Sequence, residues 1–116
     1  MNKKEIYIVL SHYDKDGRKT RSIQSVKAEC FEYGGFEFGI YYDKSRLGLN
    51  DTKSKWKLID VATGKVVSDG LSKDNAIRHF LKTPLFNRFT ELTQTVDYNQ
   101  LIEELQRMKR EKEGFT

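Results

Sequence analysis

The stretch that most constrains this chain is Tyr33-Gly34-Gly35-Phe36-Glu37-Phe38-Gly39-Ile40-Tyr41-Tyr42, in which five of ten residues are aromatic. Two adjacent glycines flanked by β-prone residues predict a two-residue hairpin turn. Such a turn sets a register, with Tyr33 opposite Phe36, Phe31 opposite Phe38 and Glu29 opposite Ile40. Side chains alternate across a strand, so Phe31, Tyr33, Phe36, Phe38, Ile40 and Tyr42 share one face. Ala28, Cys30, Gly39 and Tyr41 take the other. Glu32 and Glu37 face each other near the turn and are expected in solvent, because like charges opposite one another repel.

A face of rings can be a platform for stacking bases or the inside of a small protein. Hydrophobic residues make up only 37% of the 116, and the aromatic share is 12%. With so few other large apolar side chains, the rings are expected to form the core under the helices. Lys27 and Glu29 fall on the same face, so the ring cluster should give way to polar surface further along. The segment GGFEFGIYY also resembles the aromatic strand of the RNA recognition motif over about nine residues. It departs from that pattern at Gly34, where the family carries a basic residue, and at Glu37, where it carries a small one. No helix precedes Gly34, as that fold would require, so the resemblance is not extended to the fold.

The surrounding chain reads as hairpins. Glu5–Tyr13 is rich in Ile, Tyr and Val and predicts the first strand. DKDGR, residues 14–18, predicts a three-residue turn closed by Gly17, and similar chemistry recurs at VATGKVV around Gly64. The second strand lies within 19–33. Its apolar parity slips, with Ile23 on one face and Val26, Ala28 and Cys30 on the other, which predicts a bulge or break near Ser25. Phe36 to about Asp43 forms the third strand, residues 44–54 a polar loop, and 56–61 with 65–68 a further hairpin.

From residue 72 the apolar period changes to that of helices. Ser72 is an N-cap, and Ile77, Phe80 and Leu81 form the buried stripe of a first helix. Thr83-Pro84 ends it and starts another, with Leu85, Phe86, Phe89 and Leu92 at helical spacing. The last helix begins near Asp97, buries Tyr98, Leu101, Ile102, Leu105 and Met108, and offers a Glu103–Arg107 pair. The expectation is therefore a single α+β domain over 1–116, strand-rich over 5–69 and helical over 72–113. An antiparallel sheet of about five strands, a meander of hairpins, is followed by two or three helices packed on one face.

The inventory for chemistry is thin. His12 and His79 are the only histidines and neither has metal-ligand spacing. Cys30 is single and strand-borne, so it cannot form an internal disulfide and reads as packing. DKDG lacks the later acidic positions of a calcium loop. Asp60 and Lys65 flank a hairpin turn, which accounts for both. No catalytic residue, cofactor or metal site is expected, and the chain is read as a non-enzyme. The apolar run IYIVL is too short for a signal peptide or membrane span, and a reducing cytoplasm is the expected compartment.

Charge carries the functional signal. Lys and Arg outnumber Asp and Glu by 21 to 17, a net charge of +4. Lys44 and Arg46 open the polar loop, and Lys53, Lys55 and Lys57 alternate into the fourth strand. Lysines at period two on one side of a strand can contact phosphates without sequence preference. The same pattern also protects a sheet edge from aggregation. The functional expectation is a small binding protein for nucleic acid or a nucleoprotein complex, using Lys44, Arg46, Lys53, Lys55 and Lys57. The alternative is a protein-binding modulator, such as a phage- or mobile-element-encoded inhibitor of a host complex.

Overall fold

A computed structural model of the chain describes residues 2–43 and 56–114. The strands are β1 (Asn2–Tyr13), β2 (Lys19–Tyr33), β3 (Phe36–Tyr42), β4 (Trp56–Asp60) and β5 (Lys65–Gly70). They pair antiparallel in sequence order, so the sheet is a five-stranded meander. The helices α1 (Lys73–Leu81), α2 (Pro84–Leu92) and α3 (Val96–Lys112) follow. Fold class and element order are those expected from the sequence.

The Gly34-Gly35 turn forms with φ of 60° and 88°. These angles are of the left-handed kind that a tight two-residue hairpin demands and that side chains resist. It pairs Tyr33 with Phe36, Phe31 with Phe38 and Glu29 with Ile40. At the first turn, Asp14 Oδ1 accepts from the backbone N–H of Asp16 and Arg18, so this carboxylate shapes a turn. Each helix starts as its sequence dictates. Ser72, Thr83 and Thr95 accept from the N–H groups of Asn75, Leu85 and Tyr98, and Pro84 occupies the first turn of α2.

The rings are core. Phe38, Ile40 and Leu58 are inaccessible beneath Ala76, Phe80 and Phe89 of the helices, and Tyr98 joins the same cluster. Phe38 meets Phe31, Phe80 and Phe89 with centroids 5.3–5.8 Å apart in tilted and edge-on arrangements. Tyr33 and Tyr42, at the rims of the ring face, are exposed, and Phe31 and Phe36 are partly buried.

A second cluster lies on the other face: Ile6, Ile8, Ala28, Cys30 and Ile59. No helix covers it. It joins β1 to β4, strands that lie about 14 Å apart in a flat sheet, so the sheet must coil around this face. Two contacts hold the coil. The Val9 N–H donates to the Gly64 carbonyl at 2.9 Å, tying the outer edge of β1 to the β4–β5 turn. Ile6 reaches over β2 to Gly39, where a Cβ would stand 2.8 Å from Ile6 Cδ1.

The structure corrects several expectations. No bulge interrupts β2 near Ser25, since β1 and β2 pair in unbroken register from Asn2↔Cys30 to Tyr13↔Lys19. The apolar parity slips because the two faces are covered at different places. Val26, Ala28 and Cys30 fill the coil, while Ile23 faces α3, where Lys112 donates to its carbonyl. The irregularity lies instead between Leu58 and Ile59 against β5. Asp60 pairs with Lys65, so the second turn spans four residues, whereas the ladder leaves five between Tyr13 and Lys19 at the first, where the Asp14 N–H donates to the Arg18 carbonyl. Glu32 is exposed as expected, and Glu37 stays partly accessible at the surface, where Lys4 arches across β2 and pairs with it. Arg107 pairs with Glu111, at 4.0 Å, in place of Glu103.

Three polar ties dock α3. Tyr98 Oη donates to Asp60 Oδ2 at 2.7 Å, Arg21 forms a two-pronged pair with Glu104, and Lys112 reaches the Ile23 carbonyl. Asp60 is 2% exposed, and Thr63 Oγ1 also donates to it. Burial pushes the Asp60 carboxyl above its ordinary value, and the Tyr98 and Thr63 hydroxyls oppose the shift.

Candidate nucleic-acid interface

The ring face gives way to polar surface beside the start of α1. In an antiparallel ladder, directly paired residues share a face. Lys3 pairs with Glu29 and Glu5 with Lys27, which puts Lys3, Lys27 and Glu29 on the helix side of β1 and β2. Ile40 and Tyr42 of β3 and Trp56 of β4 continue that face. Ser72 caps α1 and so starts the helix at Lys73, whose side chain folds over this surface. The result is a recess of about 300 Å³ lined by Lys3, Lys27, Glu29, Tyr42, Trp56 and Lys73.

Within it, the Lys73 ammonium lies 5.4 Å from the Trp56 ring centroid and pairs with Glu29. Tyr42 meets Trp56 edge-on with centroids 5.4 Å apart. Glu29 Oε2 is buried and meets Lys73 as an ion pair without ideal hydrogen-bond angles. The Lys73 ammonium holds the Glu29 carboxyl below its ordinary value, and desolvation works against that. Three ammonium groups thus line the recess against one carboxylate, beside two aromatic rings. Lysines suit phosphate as mobile point charges, and rings suit the flat faces of bases.

Tyr42 and Trp56 are a cross-strand pair, so the strands on either side of the polar segment 44–55 meet at this recess. Lys44, Arg46, Lys53 and Lys55 lie outside the described residues. Lys57 is described and points to the opposite face, paired with Tyr41 and Asp69 across the ladder. Its side chain is 12% accessible and its ammonium lies 3.5 Å from Asp69 Oδ2.

Sequence reasoning did not single out Lys3, Lys27 or Lys73 as contacts. The parity of Lys27 and Glu29 with the ring cluster is the one local signal. The convergence of β1, β2 and α1 is a long-range event that no window of sequence contains.

Other surfaces offer less. A larger recess of about 570 Å³ between β5 and α1 holds Asp69, Arg78, His79 and Lys82. It is open to solvent, contains no Trp, Tyr or Phe, and its Arg78 is committed to Asp74 at 2.8 Å. His79 is exposed on α1. Cys30 is buried in the coil, and desolvation pushes its thiol up, away from the reactive thiolate. Among the described residues, no group of three His, Cys, Asp or Glu side chains is placed to hold a metal. No described helix is long and apolar enough to cross a membrane.

No protein-family model, curated protein or solved structure matches the chain significantly.

Proposed function

We propose that this chain is a small non-enzymatic binding protein that engages nucleic acid, free or within a nucleoprotein complex, through the recess at Trp56. The observation that carries the reading is the convergence of Lys3, Lys27 and Lys73 with Tyr42 and Trp56 on one face. Lysines supply sequence-independent affinity for phosphates, and rings supply stacking that tolerates any base. By sequence, the segment 44–55 adds four basic residues, Lys44, Arg46, Lys53 and Lys55, against one acidic residue, Asp51.

The test is a salt titration of binding. The double variant Lys3→Gln/Lys27→Gln leaves the Lys73–Glu29 pair intact. It should flatten the log–log salt slope by about 0.7 per lost contact on single strands or about 0.9 on duplex. Its melting temperature should match the parent's. Lys57→Gln, on the opposite face, is the comparison and should leave the slope unchanged. Failure of the parent to bind any nucleic acid at low salt would remove this reading.

A second reading, a protein-binding modulator, draws on β5. That strand ends the sheet order and carries Val66, 51% exposed, followed at the helix junction by Leu71, 73% exposed. An edge strand with apolar side chains can accept a strand from a partner. Capture of a protein partner that survives nuclease treatment, and is lost on Val66→Lys, would favour it.

A further inference from the structure

Beyond the recess, the helix-side face of β1 and β2 continues as a line of cations. One ladder step past the Glu5–Lys27 pair stands the Tyr7–Ser25 pair, about 7 Å further along. Over Tyr7 sit two lysines from the end of α3. Lys109 Nζ is 5.6 Å and Lys112 Nζ 6.0 Å from the ring centroid. Two carboxylates lie on the way, one paired with a cation and one bonded to a neutral hydroxyl, so the line keeps a positive excess. Glu5 accepts from Ser25 Oγ at 2.6 Å, and Glu29 holds Lys73. Five ammonium groups therefore follow one strand direction over a floor that includes Tyr42, Trp56 and Tyr7.

Resting on the function proposed above, we infer that the ligand is a single strand, which runs from Trp56 along β2 to the Lys109–Lys112 pair. Charge complementarity selects a polyanion. The rings select one whose bases are unstacked, because a duplex keeps its base faces inside and would leave the aromatic floor unused. The line is longer than the recess, so the site spans about four nucleotides, at the short end for single-strand binders. One or two bases sit at Tyr42 and Trp56, and the phosphates beyond them pass Lys27 and reach Lys109 and Lys112.

Trp56 is the chain's one tryptophan, so its fluorescence reports the first end of the line alone. The experiment titrates the full chain with thymidine oligonucleotides of two and eight nucleotides and with an eight-base-pair duplex. Both single strands should alter Trp56 emission, the octamer should bind roughly tenfold tighter or more, and the duplex should bind more weakly than the octamer. Lys109→Gln/Lys112→Gln should erase most of the octamer's advantage and lower its salt slope by about 1.4. Dinucleotide binding should stay as in the parent. Lys109→Gln alone leaves the Lys112 bond to the Ile23 carbonyl in place and should give about half that slope change. Equal affinity for dimer and octamer would overturn the inference, as would indifference to the lysine variants or preference for duplex. In each case nucleic-acid binding at Trp56 would still stand. No binding of any oligonucleotide would overturn both.

Discussion

Phe38 and Gly39 are consecutive residues of β3 that point to opposite faces. Phe38 is fully buried among Phe31, Phe80 and Phe89. Gly39 is buried too, against Ile6, Ala28 and Cys30. The contrast extends to both clusters. Toward the helices the sheet meets a separate layer, and large rings fill the space between layers. Away from the helices the sheet closes on itself around aliphatic and small side chains, with the Tyr41 ring packed against them only partly buried. Size, as much as hydrophobicity, decides which face a second layer covers.

Removing a ring should produce the largest effect. Phe38→Ala empties the centre of the interlayer core and should cost about 3–5 kcal/mol. Denaturant unfolding measures this, and a near-native midpoint would show that the ring cluster does not carry the fold. Adding bulk on the other face should produce a smaller loss. Gly39→Val forces a side chain into the coil and should cost about 1–3 kcal/mol. Ile6→Ala in the same chain should recover part of that loss, because Ile6 Cδ1 stands nearest to the new Cβ. Simple additivity of the two substitutions would mean that Ile6 and Gly39 do not share one space.

The smallest effect tests the polar tie between α3 and the sheet. The folded-state pKa of Asp60 is raised, so the buried carboxyl favours its protonated form. Its contribution is fully present below the unfolded value, about 3.9, and is lost as pH rises through the higher folded value. Asp60→Asn should remove this component and make stability flatter with pH between those values, while Tyr98 keeps an acceptor. Melting curves at a series of pH values measure it. An unchanged pH profile would show that Asp60 is not the buried titrating group.

The hairpin at Gly34-Gly35 is legible because two glycines fix turn and register within a few residues. The helix starts at Ser72, Thr83 and Thr95 depend on equally local caps. Both faces of β3 can be read from the same alternation. The coil of the sheet is not legible, since it depends on Val9 meeting Gly64 and on Ile6 passing over β2. Without it, the parity slip at Ile23 and Val26 looks like a local defect. The recess at Trp56 is half legible. Lys27 and Glu29 announce a polar end to the ring face, but Lys3 and Lys73 arrive from opposite ends of the fold. Lys57 has the right charge and periodicity for the site, yet its parity sends it to the other face.

The hydrogen bond between Val9 and Gly64 also orders assembly in time. Every strand pair in this meander joins neighbours in the chain, so each pairing closes a local loop, the longest being the thirteen residues between β3 and β4. The Val9–Gly64 contact, like the packing of Ile59 with the β1 side chains, has to wait for four strands to be in place. During synthesis, the outer edge of β1 therefore stays open until the β4–β5 turn has emerged, although β1 is the first strand made. The protein is at greatest risk of pairing with another chain at that stage. Once the turn docks, Val9 no longer offers its N–H to a stranger, and the last hairpin of the sheet guards the first.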